Sequence, residues 1–240
     1  MATSTFLTAE WRKLAMANYA IDPQLLASYL PAATELDLWQ GTCYVSLVGF
    51  MFLNTRLKGL PIPFHTAFEE VNLRFYVRHK EGGIWKRGVV FIKEIVPKPA
   101  ITFVANTIYK EAYQTAPMRH SWKFSPNSLQ VAYSWKDKDW NHFAVDASAD
   151  AEVIGEGSEA EFITEHYWGY AKASSTVTNQ YEVQHPRWMI YPVNSYSIEV
   201  NFGGVYGERF GFLSAVAPRS VFLAEGSTIS VKAKTTIRTF

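Results

Sequence analysis

Residues 69–97 read EEVNLRFYVRHKEGGIWKRGVVFIKEIVP, and this stretch predicts the fold more directly than any other part of the chain. Gly82 and Gly83 can adopt the positive φ angles of a tight reversal, so the stretch predicts a β-hairpin with its loop at 79–83. The first strand alternates, with apolar residues on one face and polar residues on the other. The second strand carries apolar residues on both faces, which is typical of a strand covered on both sides.

Two adjacent charges, Lys93 and Glu94, interrupt the apolar second strand. Neighbouring residues of a strand point to opposite faces, so at least one of the two is expected to face the protein interior. A lysine removed from water loses its proton more readily and becomes a nucleophile near neutral pH. Because Pro97 ends the strand, the alternative is that both side chains reach solvent at the rim of the sheet.

The polar face of the first strand presents Asn72, Arg74 and Tyr76. If this face lines the interior of a curled sheet, the three side chains form a site for an anionic or carbonyl-bearing ligand. If it faces solvent, it is the ordinary exposed face of an antiparallel sheet. The pattern alone leaves both interpretations open.

Composition limits the class of protein. The chain of 240 residues is 48% hydrophobic, which is enough for a large core, and residues 1–240 are interpreted as a single domain. The net charge is +1 without a basic block, so nucleic-acid binding is not expected. The single cysteine, Cys43, excludes an intrachain disulfide. The N-terminus has no apolar leader and the apolar run at 44–53 is too short to span a bilayer, so a cytoplasmic protein that does not bind membranes is expected.

The histidines give no metal site, because none of the six has metal-ligand spacing to another. The common nucleotide-binding motifs are also missing, so neither a metal nor any other cofactor is expected. His185 precedes Pro186 and lies close to Trp188. It is either a half-buried histidine that packs on the tryptophan or a general acid/base at a pocket mouth. Glu165 and His166 are expected to be a solvated pair, with the alternative that one of them lines the interior.

The rest of the chain predicts many short strands separated by turns. Helices are predicted after Asp22-Pro23, over Ala100–Glu111 and over Glu159–Thr164. Many strands with two or three helices indicate an α+β fold with a large, mostly antiparallel sheet that curls into a β-barrel or a similar closed shape.

Several segments, in matching order over nearly the whole chain, resemble the YqjF-like family of uncharacterised bacterial proteins. They are Trp11–Leu14, Leu30–Pro31, Glu35–Asp37, Tyr44–Phe50, Glu70–Val77, Phe162–Tyr167 and His185–Trp188. The resemblance implies a fold distantly similar to acetoacetate decarboxylase, a β-barrel-like enzyme whose lysine forms a Schiff base with a β-keto acid.

The same resemblance assigns individual residues. It places the decarboxylase's substrate-binding arginine at Arg12, where a guanidinium would bind a carboxylate through two hydrogen bonds. It places the decarboxylase's paired lysines at Lys98, but Pro99 follows here in place of the second lysine, whose charge lowers the pKa of the first. The loop Asn54–His65, where the catalytic glutamate of the decarboxylase should fall, has no acidic residue.

Two functional hypotheses follow. The first is a small-molecule enzyme that acts on a carbonyl- or carboxylate-bearing substrate in a barrel pocket, with decarboxylase- or aldolase-like lyase chemistry as the reaction class considered. Its catalytic candidates are Lys93, Glu94, Lys98 and His185, and its substrate-binding candidates are Arg12, Asn72, Arg74, Tyr76 and Trp188. The second hypothesis is a non-catalytic barrel that binds a small ligand. Either protein could form a homo-oligomer.

Overall fold

Strands dominate the computed structural model, which describes residues 4–239. The strands are β1 (Thr5–Ala20), β2 (Glu35–Leu36), β3 (Tyr44–Leu57), β4 (Leu60–Pro61), β5 (Phe68–Glu81), β6 (Ile84–Val96), β7 (Tyr113–Thr115), β8 (Met118–Phe124), β9 (Ser128–Lys136), β10 (Trp140–Ser148), β11 (Glu152–Val153), β12 (Trp168–Lys172), β13 (Val177–Gln184), β14 (Met189–Tyr191), β15 (Val193–Glu199), β16 (Ser220–Lys232) and β17 (Thr235–Arg238).

The helices are short. They are α1 (Pro99–Val104), α2 (Glu159–Thr164) and α3 (Phe202–Tyr206), with 3-10 helices at Pro23–Leu26 and Glu208–Ala215 and a π-helical turn at Ala105–Tyr109. No helix within residues 4–239 has the length and apolar character that a membrane crossing requires. The predicted α+β fold, with a mostly antiparallel curled sheet and few helices, is confirmed.

The main sheet curls until its strand pairing closes on itself. The order is β16-β1-β3-β5-β6-β12-β13, and β13 pairs again with β16 through Val183–Val231 and Gln184–Ser230. Neighbours along this path are antiparallel, apart from the parallel pair formed by β6 and β12. Closure removes the free edges that a curled sheet would otherwise present. We call the space enclosed by these seven strands the ring interior.

The two faces of the ring strands have different partners. Outward-facing residues such as Leu47 and Leu73 pack against a second sheet of order β15-β10-β9-β8, which contributes Tyr133. Inward-facing residues such as Val48 and Phe50 belong to a separate apolar cluster. Both faces are therefore covered, and a polar side chain on the inward face is removed from bulk water.

The hairpin predicted from 69–97 is confirmed as β5 and β6, which turn at Gly82 and Gly83 with φ angles of 56° and 86°. Residues 71–77 of β5 are all buried, polar and apolar alike. The polar face of this strand therefore does not follow the exposed pattern that is ordinary for antiparallel sheets.

A glycine in β16 permits the close approach of β1. Gly226 has a φ of +80°, and a Cβ atom there would collide with the backbone oxygen of Trp11. Gly59 has a φ of +83° with open space around it, so it is a matched control. An alanine at positive φ costs about 1–2 kcal/mol, and overpacking adds about 1–3 kcal/mol. We expect G226A to lower the free energy of urea unfolding at least twice as much as G59A. Equal losses would show that the contact with β1 is unimportant.

Candidate functional site

The polar stripe of β5 faces the ring interior and has one residue more than the three predicted from the sequence. It consists of Glu70, Asn72, Arg74 and Tyr76, with relative exposures of 2%, 1%, 8% and 1%. Burying polar and charged groups costs free energy unless they find partners. The partners of these four side chains therefore decide what the site can do.

Three carboxyl groups and two tyrosines gather at the end of the ring interior nearest Glu70. Glu94 lies on β6, and Glu111 precedes β7, which pairs in parallel with β6. The Tyr113 hydroxyl donates a hydrogen bond to Glu70 Oε2 at 3.1 Å, and the Tyr181 hydroxyl donates one to Glu111 Oε1 at 3.0 Å. We call these five residues the acidic cluster.

Burial raises the pKa of all three carboxyl groups of the acidic cluster. Desolvation raises the pKa of Glu70 and that of Glu111 each to about 7. Desolvation, followed by the charges of Glu111 and Glu70, raises the pKa of Glu94 well above its usual value. A carboxylic acid that stays protonated at pH 7 can donate a hydrogen bond or a proton to a ligand.

Within residues 4–239, no group of three or more His, Cys, Asp or Glu side chains is arranged to hold a metal ion.

Arg74 lies beside the acidic cluster, and among residues 4–239 no carboxylate forms a hydrogen bond or ion pair with its guanidinium. The polar contact of its guanidinium within residues 4–239 is a 4.0 Å approach of Nη2 to the sulfur of Met16, and its Nε has no partner there. The buried Oδ1 of Asn72 and Oε2 of Glu94 also lack partners in this part of the chain. The charge of Arg74 lowers the pKa of the nearby Glu70, but no carboxylate oxygen within residues 4–239 contacts the guanidinium directly. A buried cation without a direct ion pair is costly, so this arrangement suits the binding of an anion.

A histidine and an aspartate lie beside Tyr76, the last residue of the polar stripe. His166 is 8% exposed, and its Nε2 lies 3.2 Å from Oδ2 of Asp37, which also accepts a 2.6 Å hydrogen bond from Arg87 Nε. The imidazole packs on Tyr76 with 4.7 Å between ring centroids. Burial lowers the pKa of His166 to about 4, although the hydrogen bond with Asp37 raises it. The histidine is therefore neutral at pH 7.

The hydroxyl of Tyr76 is held by a chain of hydrogen bonds. Ser46 Oγ donates to Asn18 Oδ1 at 2.6 Å and lies 2.7 Å from the Tyr76 hydroxyl. Because the serine proton is committed to Asn18, the tyrosine must donate to Ser46. Its hydroxyl can accept a hydrogen bond from a ligand but cannot donate one.

Lys93 and Glu94 lie on opposite faces of β6. Glu94 pairs with Asn72 on the inward face, and Lys93 pairs with Leu73 on the outward face. Burial lowers the pKa of Lys93, as expected of a desolvated lysine, but its Nζ donates to the Val205 carbonyl, away from the ring interior. Glu94 is only 2% exposed, so the alternative that both charges reach solvent at the rim is wrong.

Arg12 is also outside the ring interior. Its Nε and Nη2 donate to Glu10 Oε2 at 2.9 and 2.6 Å, and its Nη1 lies 3.4 Å from Glu225 Oε1. The neighbouring Trp11 belongs to the inward apolar packing, so Arg12 points the other way. The structure does not bring Arg12 together with Asn72 and Arg74.

Three further residues predicted from the sequence to belong to the site lie outside the polar stripe. Lys98 is half-buried at the residue before α1. The His185 ring stacks on Trp188 with 4.3 Å between centroids and lies 4.7 Å from the ring of Tyr167. Burial lowers the pKa of His185. Trp188 is 4% exposed and donates to Ser227 Oγ at 2.9 Å. His185 therefore has the geometry of a half-buried histidine packed on a tryptophan.

Sequence reasoning missed two kinds of residue. Glu70 continues the alternation of the polar stripe and could have been found from that signal. Glu111 and Tyr181 come from distant segments, and no local pattern indicates that they meet. The expectation that His166 is solvated is wrong, because the side chain packs beneath α2 against Phe162, with 5.1 Å between ring centroids, and against the ring interior.

The closed ring of strands with a second sheet on its outer face defines the class, an acetoacetate-decarboxylase-like fold. Acetoacetate decarboxylase from Legionella pneumophila aligns with a TM-score of 0.66 at 11% identity, over 99% of this chain and 90% of that one. The enduracididine biosynthesis enzyme MppR complexed with pyruvate aligns with a TM-score of 0.66 at 12% identity, over 98% and 91% of the two chains. At such identities the likeness shows the fold alone.

Residues 8–228 match the family DUF2071, described as "Uncharacterized conserved protein", and the chain belongs to this family. The chain is also 27% identical over 185 residues to the "Uncharacterized protein YqjF" of Bacillus subtilis (strain 168), covering 75% of this chain and 73% of that protein. The resemblance found in the sequence is therefore confirmed. The family is uncharacterised, and its structural neighbours include enzymes.

Proposed function

We propose that this protein is a small-molecule enzyme whose ring interior takes a carbonyl-bearing carboxylic acid. The observation that carries the proposal is the buried guanidinium of Arg74, which has no carboxylate partner within residues 4–239. A guanidinium presents parallel N–H donors that match a carboxylate, and the charge makes these hydrogen bonds strong. The ligand's carboxylate would supply the direct ion pair that the side chains of residues 4–239 do not give Arg74.

The acidic cluster gives the same ligand a proton donor. Glu94 faces the interior, and burial and the neighbouring glutamates raise its pKa, which favours the protonated form. A carboxylic acid in this state can protonate a carbonyl oxygen as charge develops there. Asn72 lies on the same strand between Arg74 and Glu70, and its Oδ1, which has no partner among residues 4–239, can accept a hydrogen bond from the ligand.

The comparison with MppR supports this ligand class. That protein is complexed with pyruvate, a carboxylate next to a carbonyl group, so an acetoacetate-decarboxylase-like fold can hold such a molecule. Imine formation through Lys93 is not part of our proposal, because its side chain leaves the outward face of β6 towards the Val205 carbonyl.

One observation favours the alternative of a non-catalytic binding protein. With Lys93 on the outward face, Arg74 still provides an anion-binding group, but the lysine nucleophile considered from the sequence is no longer in the interior. A binding protein would hold the acid without changing it, whereas an enzyme would convert it into a product.

The proposal is tested by calorimetric titration with pyruvate, 2-oxobutyrate and acetoacetate, each compared with its neutral amide, at pH 7. A hydrogen bond to a charged group contributes about 1.5–3 kcal/mol. We therefore expect at least one acid to bind about 10- to 100-fold more tightly than its amide. Equal affinity for acid and amide, or no binding of any acid, would contradict the proposal.

A further inference from the structure

We propose that His166 is the general base of this site and removes a proton from the carbon next to the ligand's carbonyl group. The inference rests on the proposed function and deepens it. It assigns the substrate class as oxo acids with an acidic C–H bond, and the reaction as enolisation.

The first support is the hydrogen bonding of the imidazole. Nε2 of His166 lies 3.2 Å from the carboxylate of Asp37, so this nitrogen carries the hydrogen of the neutral ring. Nδ1 then has the free lone pair, and it is buried without a partner within residues 4–239. Asp37 is itself held by Arg87 at 2.6 Å. Asp37 is a positioning residue, because it fixes the tautomer and the orientation of the base.

The second support is the position of His166 relative to Arg74. Both pack on the ring of Tyr76, with 4.7 Å between the imidazole and phenol centroids and 5.8 Å from Arg74 Cζ to the phenol centroid. Tyr76 is fixed in turn by Ser46. A carboxylate bound to Arg74 therefore places the rest of a small ligand next to the aromatic ring on which His166 packs.

The chemistry of the step balances with groups of this chain. The C–H bond breaks as its proton moves to Nδ1 of His166, and its electron pair forms the carbon–carbon double bond. The carbonyl oxygen takes the proton of the Glu94 carboxylic acid, giving an enol, a protonated His166 and an ionised Glu94. The reverse step restores the ketone and both side chains, with a solvent deuteron in place of the original proton when the reaction runs in D₂O.

The charges around His166 set the pH range of this step. The groups that face it are Asp37 between β2 and β3, Arg87 on β6, and Arg74 and Tyr76 on β5. With the pKa of His166 at about 4, the base is neutral and available above that pH. Burial also raises the pKa of Glu94, which favours its protonated form. Exchange is therefore expected to be fast at pH 7 and to fall as the pH approaches 4.

The test is the exchange of the methyl protons of pyruvate in D₂O, followed by ¹H NMR, with binding measured in parallel by calorimetry. General acid–base catalysis contributes about 10²- to 10⁴-fold, so H166N is expected to exchange at least about 100-fold more slowly than the wild type. Its Kd for pyruvate should change less than about threefold. H166Q is the second variant if H166N does not fold. H142N, on the second sheet, is the control and should leave both quantities unchanged.

D37N adds a readout that a purely structural residue would not change. Loss of the carboxylate removes a charge that raises the pKa of His166, so the acidic limb of the pH–rate profile should move to lower pH. If pyruvate binds but the wild type exchanges no faster than buffer, or if H166N exchanges at the wild-type rate, the inference is overturned and the proposed function stands. If no oxo acid binds, both fail.

Discussion

An R74M variant is expected to bind pyruvate at least about 10- to 100-fold more weakly than the wild type while losing no stability. The affinity falls because hydrogen bonds from a charged donor contribute about 1.5–3 kcal/mol. The stability holds or rises because the side chain is 8% exposed and has no carboxylate partner within residues 4–239. Removing a buried charge that no carboxylate of residues 4–239 contacts directly relieves a desolvation cost, and methionine fills the space next to Met16.

R78M is the matched control for R74M. Arg78 lies on the same strand but is half-exposed, and it forms a 2.6 Å ion pair with Glu35. We expect R78M to leave the Kd of pyruvate unchanged and to lower the free energy of unfolding by less than about 1 kcal/mol. If R74M binds pyruvate with an unchanged Kd, the proposed role of Arg74 in ligand binding is contradicted. If R74M lowers the free energy of unfolding by about 3 kcal/mol or more, Arg74 has a strong ion pair within the protein.

An E94Q variant is expected to be more heat-stable than the wild type at pH 8 and similar to it at pH 5. The folded protein holds the Glu94 proton more tightly than the unfolded chain, since burial raises its pKa well above the ordinary value of a glutamate. Such a group contributes stability below its unfolded pKa, and this contribution is lost as the pH rises towards the folded pKa. Glutamine resembles the neutral acid and cannot ionise, so it avoids the loss.

The size of the gain follows from general constants. One pKa unit corresponds to about 1.4 kcal/mol, and 1 kcal/mol shifts the melting temperature of a chain of this size by about 2–4 °C. We therefore expect a rise in Tm of about 5 °C or more at pH 8, measured by circular dichroism. E156Q, in an exposed loop, should change Tm equally little at both pH values. A gain by E94Q that is the same at pH 5 and pH 8 would show that ionisation is not its cause.

Local patterns predicted the hairpin and its alternation because both depend on residues close in sequence. The alternation of β5 also contained the polar stripe, but the sequence could not decide which face the stripe occupies. That decision depends on closure of the ring and on the second sheet, and both arise from pairings between distant strands. For the same reason, the pattern showed that Lys93 and Glu94 point in opposite directions without showing which one faces inward.

The site residues brought together by tertiary structure could not be predicted in this way. Asp37 and His166 are 129 positions apart, and Glu70 and Tyr113 are 43 apart. Arg12 shows the limit of assignment by resemblance. Lys13 has a φ of 55°, and the register of β1 against β3 shifts between Arg12 and Ala15. A β-bulge at this point re-aims the side chains on either side of it.

The hairpin β12–β13 is attached unequally on its two sides. β12 meets β6 through two residue pairs, Trp168–Gly88 and Gly169–Val89. On the other side, β13 meets β16 through two pairs and β17 through four more. Short pairings open at a lower free energy than long ones, so local opening of the ring is expected to begin between β6 and β12. Opening there would expose the ring interior to a small ligand while β13 stays paired with β17.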